Sequence, residues 1–211
     1  MLYFKNPASA PATAAEIIAA SGDPKNNEII DLGSASIKCI PLPGHYFDQL
    51  GFLVEDKSDG KKSFFLGDGL FGLNMIKKYW IPFMFNEVVF RQSVEKIDRI
   101  PADFYIPGHG EKCESGRIHA LTEINILITL ETETLILKTL KKASLTHEEL
   151  LEAVADFAGI DLRLGQYVLI GGTLRSYLSC LKDQGLVDFK IEDNRMLWFL
   201  KQDSLAVANS L

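Results

Sequence analysis

Three times in this chain a short apolar run ends on a glycine turn that carries a side chain able to bind a metal. Ser36-Ile-Lys-Cys-Ile40 leads into Pro41-Leu-Pro-Gly-His45, Ser63-Phe-Phe-Leu66 leads into Gly67-Asp68-Gly, and Phe104-Tyr-Ile106 leads into Pro107-Gly-His109-Gly. Short β-branched or aromatic runs bounded by Gly and Pro read as strands. If those strands lie side by side in one sheet, their turns fall at one rim, and His45, Asp68 and His109 can meet there. Imidazole nitrogen and carboxylate oxygen are the donors that hold zinc, and catalytic zinc sites keep one position for water. Taken singly, each turn has a plain structural explanation as a Pro-Gly turn, a loop start or a loop tip. The ordered trio gives the metal reading its weight.

The rest of the chain supplies a mixed α and β framework. Glu28–Gly33 reads as a strand before Ser36–Ile40, in which Ile37 and Cys39 share one face and Ser36, Lys38 and Ile40 the other. Leu50–Glu55 reads as a strand paired with Ser63–Leu66 around Ser58-Asp59-Gly60. Leu70 to Ile100 is helical with interruptions. Pro82 breaks it, leaving Trp80–Phe85 as an aromatic loop or lid, and Val88–Ile100 is amphipathic up to Pro101. A long helix is expected over Ser115–Lys142, with Ile118, Leu121, Ile124, Ile128, Leu135 and Leu140 as its apolar stripe, although its threonines lower helix propensity.

Thr146-His-Glu-Glu149 then has the spacing of a capping box. Helices at 147–158, 164–169 and 174–184, with Gly171-Gly172 as the break between the last two, precede two strands at 186–191 and 196–200. Helices followed by a β-hairpin form the layout of a winged helix. The N-terminal stretch holds a short helix at Glu16-Ile-Ile-Ala-Ala and a loop over 21–27, and residues 204–211 read as a frayed tail. The division is therefore an α+β domain over 1–113, a linking helix over 114–142, a winged-helix domain over 143–203 and a tail.

Composition limits the function classes. The 211 residues carry 22 basic and 28 acidic side chains, a net charge of −6, which disfavours a phosphate-binding surface. No run of 18 apolar residues is present, so no membrane span is expected. Met1-Leu-Tyr-Phe-Lys-Asn-Pro lacks the apolar core of a signal peptide, and three scattered cysteines fit a reducing, cytoplasmic setting. Asp48 is a further ligand or an orienting partner of His45, weighed against a turn cap. His119 and His147 are read as solvent-facing and Cys113 as a spectator thiol. Trp80, Phe83 and Phe85 are read as core or as the mouth of a site.

The order Pro-Gly-His45, Phe-Leu-Gly-Asp68-Gly-Leu-Phe and Ile-Pro-Gly-His109-Gly resembles the later metal motifs of the metallo-β-lactamase superfamily. His45-Tyr-Phe-Asp48-Gln-Leu-Gly and the stretch from Gln166 to Gly185 resemble a bacterial subgroup with a C-terminal winged helix. The likeness runs from about residue 28 to 200. It implies a partial αββα sandwich followed by a winged helix. It also implies His45 on a first metal ion, His109 on a second and Asp68 bridging them, with zinc, iron or manganese as the ion. The implied activity is metal-dependent hydrolysis of a small-molecule ester, thioester, amide or phosphoester. The fold does not name the substrate.

The superfamily's first motif, His-x-His-x-Asp-His, is not in this sequence, whose four histidines are His45, His109, His119 and His147. The expectation is thus an N-terminally incomplete hydrolase, weak or inactive as it stands. The alternative is a non-catalytic remnant acting as a binding or assembly module. An uncovered sheet edge and apolar face would promote a homo-oligomer, through that edge or through the winged helix. Nucleic acid is not expected as a partner, because residues 143–203 carry six basic side chains against ten acidic ones.

Overall fold

The structure is a computed structural model and describes residues 27–201. The helix expected at Glu16, most of the loop before Asn27 and the C-terminal tail lie outside the described residues. Six strands form one sheet in chain order: β1 (Ile29–Asp31), β2 (Ala35–Pro41), β3 (Leu50–Asp56), β4 (Lys62–Gly67), β5 (Phe104–Pro107) and β6 (Cys113–Glu114). All neighbours are antiparallel except β4 and β5, which are parallel. A parallel pair needs a crossover, and here it contains helices α1 (Leu73–Tyr79) and α2 (Glu87–Arg99).

Registers of Ile37 opposite Val54, Cys39 opposite Phe52, and Phe65 opposite both Phe52 and Ile106 give the sheet two apolar faces. One face carries Leu53, Phe64, Leu66 and Tyr105 and packs with α2 residues Phe90, Val94 and Ile97 and with Ile118 in a first core. On the other face stand Ile37, Cys39, Phe52, Val54, Phe65 and Ile106. None of these belongs to either apolar core of the described residues.

The second core is helical. Helix α3 (Ser115–Leu140) reaches it with Ile136, Leu137 and Leu140, which meet α4 (His147–Ala158) and α5 (Leu164–Asp183). The capping box forms: the Thr146 side chain accepts from the Glu149 backbone N–H, and the Glu149 carboxylate accepts from the Thr146 backbone N–H. The hairpin of β7 (Val187–Glu192) and β8 (Arg195–Leu200) closes on Asp193 and Asn194, both left-handed, as a two-residue hairpin loop requires. Leu145 forms a bridge to Trp198 beside it.

Three expectations are corrected. Gly171-Gly172 does not break a helix, because α5 runs unbroken from Leu164 to Asp183. The glycines are there for close approach. A Cβ on Gly171 would lie 3.4 Å from His147 Cε1 and from Leu151, and one on Gly172 would lie 3.0 Å from the Phe83 ring. His147 is buried, not solvent-facing, and its Nε2 donates to the Gly171 carbonyl at 2.8 Å. On α3, Ile124 of the expected stripe faces solvent with Leu127 and Leu130, whereas Ile118 and Leu140 are buried and Leu121, Ile128 and Leu135 pack against the cores; the middle of the buried face is polar, with Thr122, Asn125, Thr129 and Thr132. The threonine hydroxyls return to the helix's own carbonyls, Thr129 to Ile126 and Thr132 to Ile128 at 2.7 Å each, so these side chains enter the interior already satisfied.

Glu87, in the first turn of α2, is fully buried, and neither carboxyl oxygen has a hydrogen-bond partner of good geometry. Burial pushes its carboxyl above the ordinary range. The Cys180 thiol and the Arg91 charge act the other way, and Glu133 adds to the rise. Beside it, burial first and Glu87 second push the Cys180 thiol to about 12. The folded state therefore holds the Glu87 proton more tightly than the unfolded chain does. Its contribution to stability is complete below the ordinary value of 4.5 and is lost as the pH rises through the folded-state value. Glu87→Gln cannot ionise, so its melting temperature should exceed that of the wild type by a margin that widens as the pH is raised from 4.5. A margin independent of pH in parallel melts would contradict this.

Candidate metal centre

The turn after β2 is fastened to α2. Ser93 Oγ donates to the Pro43 carbonyl at 2.6 Å, and Lys96 donates to the Pro41 carbonyl at 2.9 Å. Gly44 has φ of +129°, and a Cβ there would run into the Phe90 backbone, so the close approach admits only glycine. The Gly44 carbonyl accepts the N–H groups of Phe85 and Asn86 at 2.9 and 3.1 Å. His45 therefore leaves the turn in a fixed direction. Its Nδ1 lies 2.7 Å from the Phe83 carbonyl oxygen. A carbonyl only accepts, so Nδ1 carries the proton and Nε2 faces away from Phe83.

Asp68 follows a register shift of β4 against β5, at Gly67, whose φ is +53°. The Gly67 carbonyl accepts the Gly108 N–H at 2.6 Å, which ties the Asp68 turn to the His109 turn. Gly108 also passes beneath the carboxylate, since a Cβ on it would lie 2.9 Å from Asp68 Oδ1. The three turns thus meet at one rim of the sheet. His45 Nε2 lies 3.4 Å from Asp68 Oδ2, and His109 Nε2 lies 3.9 Å from Asp68 Oδ1. The His45 and Asp68 side chains are 22% and 26% exposed, whereas His109 is 63% exposed.

The electrostatics of this trio are specific. With Nδ1 committed to Phe83, a neutral His45 turns a lone pair toward a carboxylate, and two lone pairs repel. A proton or a cation between them relieves that repulsion. Asp68 Oδ1 is buried and has no hydrogen-bond partner among the described residues, which is costly for a carboxylate. The donor types and the orphaned oxygen fit a divalent ion. The count is short, because no group of three or more His, Cys, Asp or Glu among the described residues is placed to hold one ion together. The arrangement is two His–Asp pairs sharing one carboxylate.

Asp48 is exposed, and the partner that orients His45 is the Phe83 carbonyl. His119 is exposed and pairs with Asp98 at 3.0 Å, which raises its pKa chiefly through that hydrogen bond. Tyr46, Phe47 and Phe85 form an exposed aromatic group beside His45, with the Phe47 and Phe85 rings stacked at 4.9 Å. The Phe83 loop is itself held from α5. Thr173 Oγ1 accepts from the Met84 N–H at 3.3 Å and lies 3.4 Å from the Pro82 carbonyl. Residue type could not announce the Phe83 carbonyl or Thr173, because every residue carries a carbonyl and Thr173 acts from ninety residues away.

No protein-family model matches the sequence, and no curated protein matches it. Solved structures share its fold. A metallo-β-lactamase family protein from Thermus thermophilus superposes with a TM-score of 0.59 at 16% identity, over 84% of this chain and 53% of that one. A β-lactamase domain protein from Burkholderia ambifaria gives a TM-score of 0.62 at 10% identity, over 84% of this chain and 51% of that one. The chain spans about half the length of each. At such identities the likeness is one of fold: a mixed α+β architecture resembling an incomplete metallo-β-lactamase αββα sandwich.

Thr173→Val is isosteric and removes the acceptor of the buried Met84 N–H. It should lower stability by about 1–3 kcal/mol, the range for stranding one buried polar group, as read by urea denaturation.

Proposed function

We propose that this chain carries the metal-binding rim of a metal-dependent hydrolase acting on a small-molecule ester, thioester, amide or phosphoester. The observation that carries the reading is the His45–Asp68 pair, with Nδ1 locked to the Phe83 carbonyl and Asp68 Oδ1 buried without a partner. His45 and Asp68 would hold one ion, and Asp68 and His109 a second. Zinc, iron or manganese bound there supplies Lewis acidity and a nucleophile drawn from water. The residues themselves do the positioning. The Phe83 contact fixes the His45 tautomer and ring plane, the role that outer partners play for metal-bound histidines. Asp68 places a carboxylate at the rim beside both imidazoles. Tyr46, Phe47 and Phe85 offer an apolar flank to an organic substrate.

A second reading is favoured by the shortage of converging donors among the described residues: a non-catalytic module for binding or assembly. The C-terminal helices and hairpin are read as a winged helix with a packing role. Several of its cations are already engaged with carboxylates, Arg195 with Glu149 and Lys190 with Glu192 at 2.8 Å, and Arg175 with Glu148 at 3.7 Å. A phosphate backbone would have to compete for them. No helix among the described residues is long and apolar enough to cross a membrane.

Equilibrium titration with zinc, iron(II) and manganese decides between the readings. The hydrolase reading expects saturable binding that weakens at least tenfold in His45→Ala and Asp68→Asn and less in the exposed His109→Ala, since a charged contact contributes about 1.5–3 kcal/mol. Metal-free protein, inert toward aryl esters and phosphodiesters and assembling with concentration in sedimentation equilibrium, would establish the module reading instead.

A further inference from the structure

A concavity of about 360 Å³ opens between α1, the segment after His109 and the first turns of α3. It adjoins the metal rim through Gly110, whose Cα packs against Gly72, and it shares no side chain with His45, Asp68 or His109. Three basic side chains line it: Lys77 from α1, Lys112 from the strand approach and Arg117 from α3. Glu111 is the one acid among the lining residues. In a chain of net charge −6 this is a local reversal of sign. Lys77 and Arg117 have no carboxylate partner within ion-pair distance among the described residues, and Lys112 is held over the Phe104 ring, 4.0 Å from its centre. Such a patch is attractive to anions and loses little by engaging one, because no existing ion pair must break.

The floor is apolar. Leu73, Leu121 and Ile124 line it, and Leu73 and Ile124 are among the large apolar side chains left exposed, 43% and 37%. Leu127 continues the same face of α3 one turn on and is 56% exposed. A basic rim over an apolar floor that runs out along a helix matches a ligand with an anionic head and an alkyl tail. A bare inorganic anion would leave the floor wet, and a neutral alkane would leave the cations unused.

We propose that this concavity is a binding site for an alkyl carboxylate or alkyl phosphate, with the head on Lys77 and Arg117 and the tail along Leu73, Leu121 and Ile124. The site goes beyond the metal reading and stands without it.

Cys113 lines the same concavity and is the one partly exposed thiol among the described residues, since Cys39 and Cys180 are buried. Its alkylation by iodoacetamide therefore reports occupancy. With the full chain, hexanoate or hexyl phosphate should slow alkylation and bind saturably in calorimetry, and hexanol and inorganic phosphate should each bind at least tenfold more weakly. The two amphiphile affinities show which head is preferred. Lys77→Gln combined with Arg117→Gln should weaken the tighter amphiphile at least tenfold with an unchanged melt, and Arg117→Lys should retain most of the binding. Asp68→Asn and His109→Ala should leave it unchanged, even if both abolish metal binding. Absence of protection by either amphiphile, full affinity in the double variant, or loss of binding in Asp68→Asn would each overturn the assignment.

Discussion

The loop between α1 and α2 is the part on which the rest of this molecule leans. It has no regular structure of its own, and its backbone groups are claimed from two sides. From α5, Thr173 takes the Met84 N–H, and Gly172 lets the Phe83 ring approach the helix where a Cβ would lie only 3.0 Å from it. From the other side, the Gly44 carbonyl takes Phe85 and Asn86, and the Phe83 carbonyl takes His45. The direction of His45 is therefore set through a path that begins more than a hundred residues later in the chain. Here the imidazole is held with one nitrogen spent and the other aimed at Asp68.

Helix α3 joins the same two regions by a different device. A helix crossing between two cores is usually apolar on its buried side, but between Ile118 at one end and Ile136, Leu137 and Leu140 at the other this one buries Thr122, Asn125, Thr129 and Thr132. Asn125 explains the choice. Its Oδ1 accepts from the Phe71 N–H at 3.0 Å, and its Nδ2 donates to the Phe71 carbonyl at 2.9 Å, so it pairs with a loop backbone that would otherwise be stranded in the interior. Tyr177 of α5 donates to the Thr129 carbonyl at 3.2 Å. Arg91 and Glu133 lie 3.1 Å apart across α2 and α3, next to the buried Glu87. These polar contacts select one packing of the helices where an apolar seam would accept several.

What could be read in advance follows the range of each interaction. The strands of the sheet, the turns at Gly44, Gly67 and Gly108, the end of α2 before Pro101 and the Thr146 cap depend on neighbours within a few residues. The convergence of His45, Asp68 and His109 was legible because three strands in one sheet bring their ends to one rim. The long-range contacts were not legible. Gly171-Gly172 has the composition of a break, and only the presence of His147 and Phe83 across the gap makes it a helix face. The apolar ends of α3's buried face were legible, and its polar middle was hidden for the opposite reason, since threonines that satisfy their own hydroxyls look polar in sequence and behave as packing residues in the fold. Asp48 is the natural candidate to orient a histidine three residues away, yet a backbone carbonyl does so instead.

The rim of His45, Asp68 and His109 offers few donors to an ion. Two His–Asp pairs sharing one carboxylate are fewer protein donors than zinc takes from its catalytic or structural sites, so the rim as described would leave an ion mostly to water. The sheet face bearing Ile37, Cys39, Phe52, Val54, Phe65 and Ile106 lies outside both apolar cores of the described residues, yet Ile37 and Cys39 on it are buried. Hydrolysis at this rim requires that an ion be held by few protein groups, whereas a binding or assembly role does not depend on an ion. Metal affinity is therefore the more discriminating quantity. It depends on the donors alone.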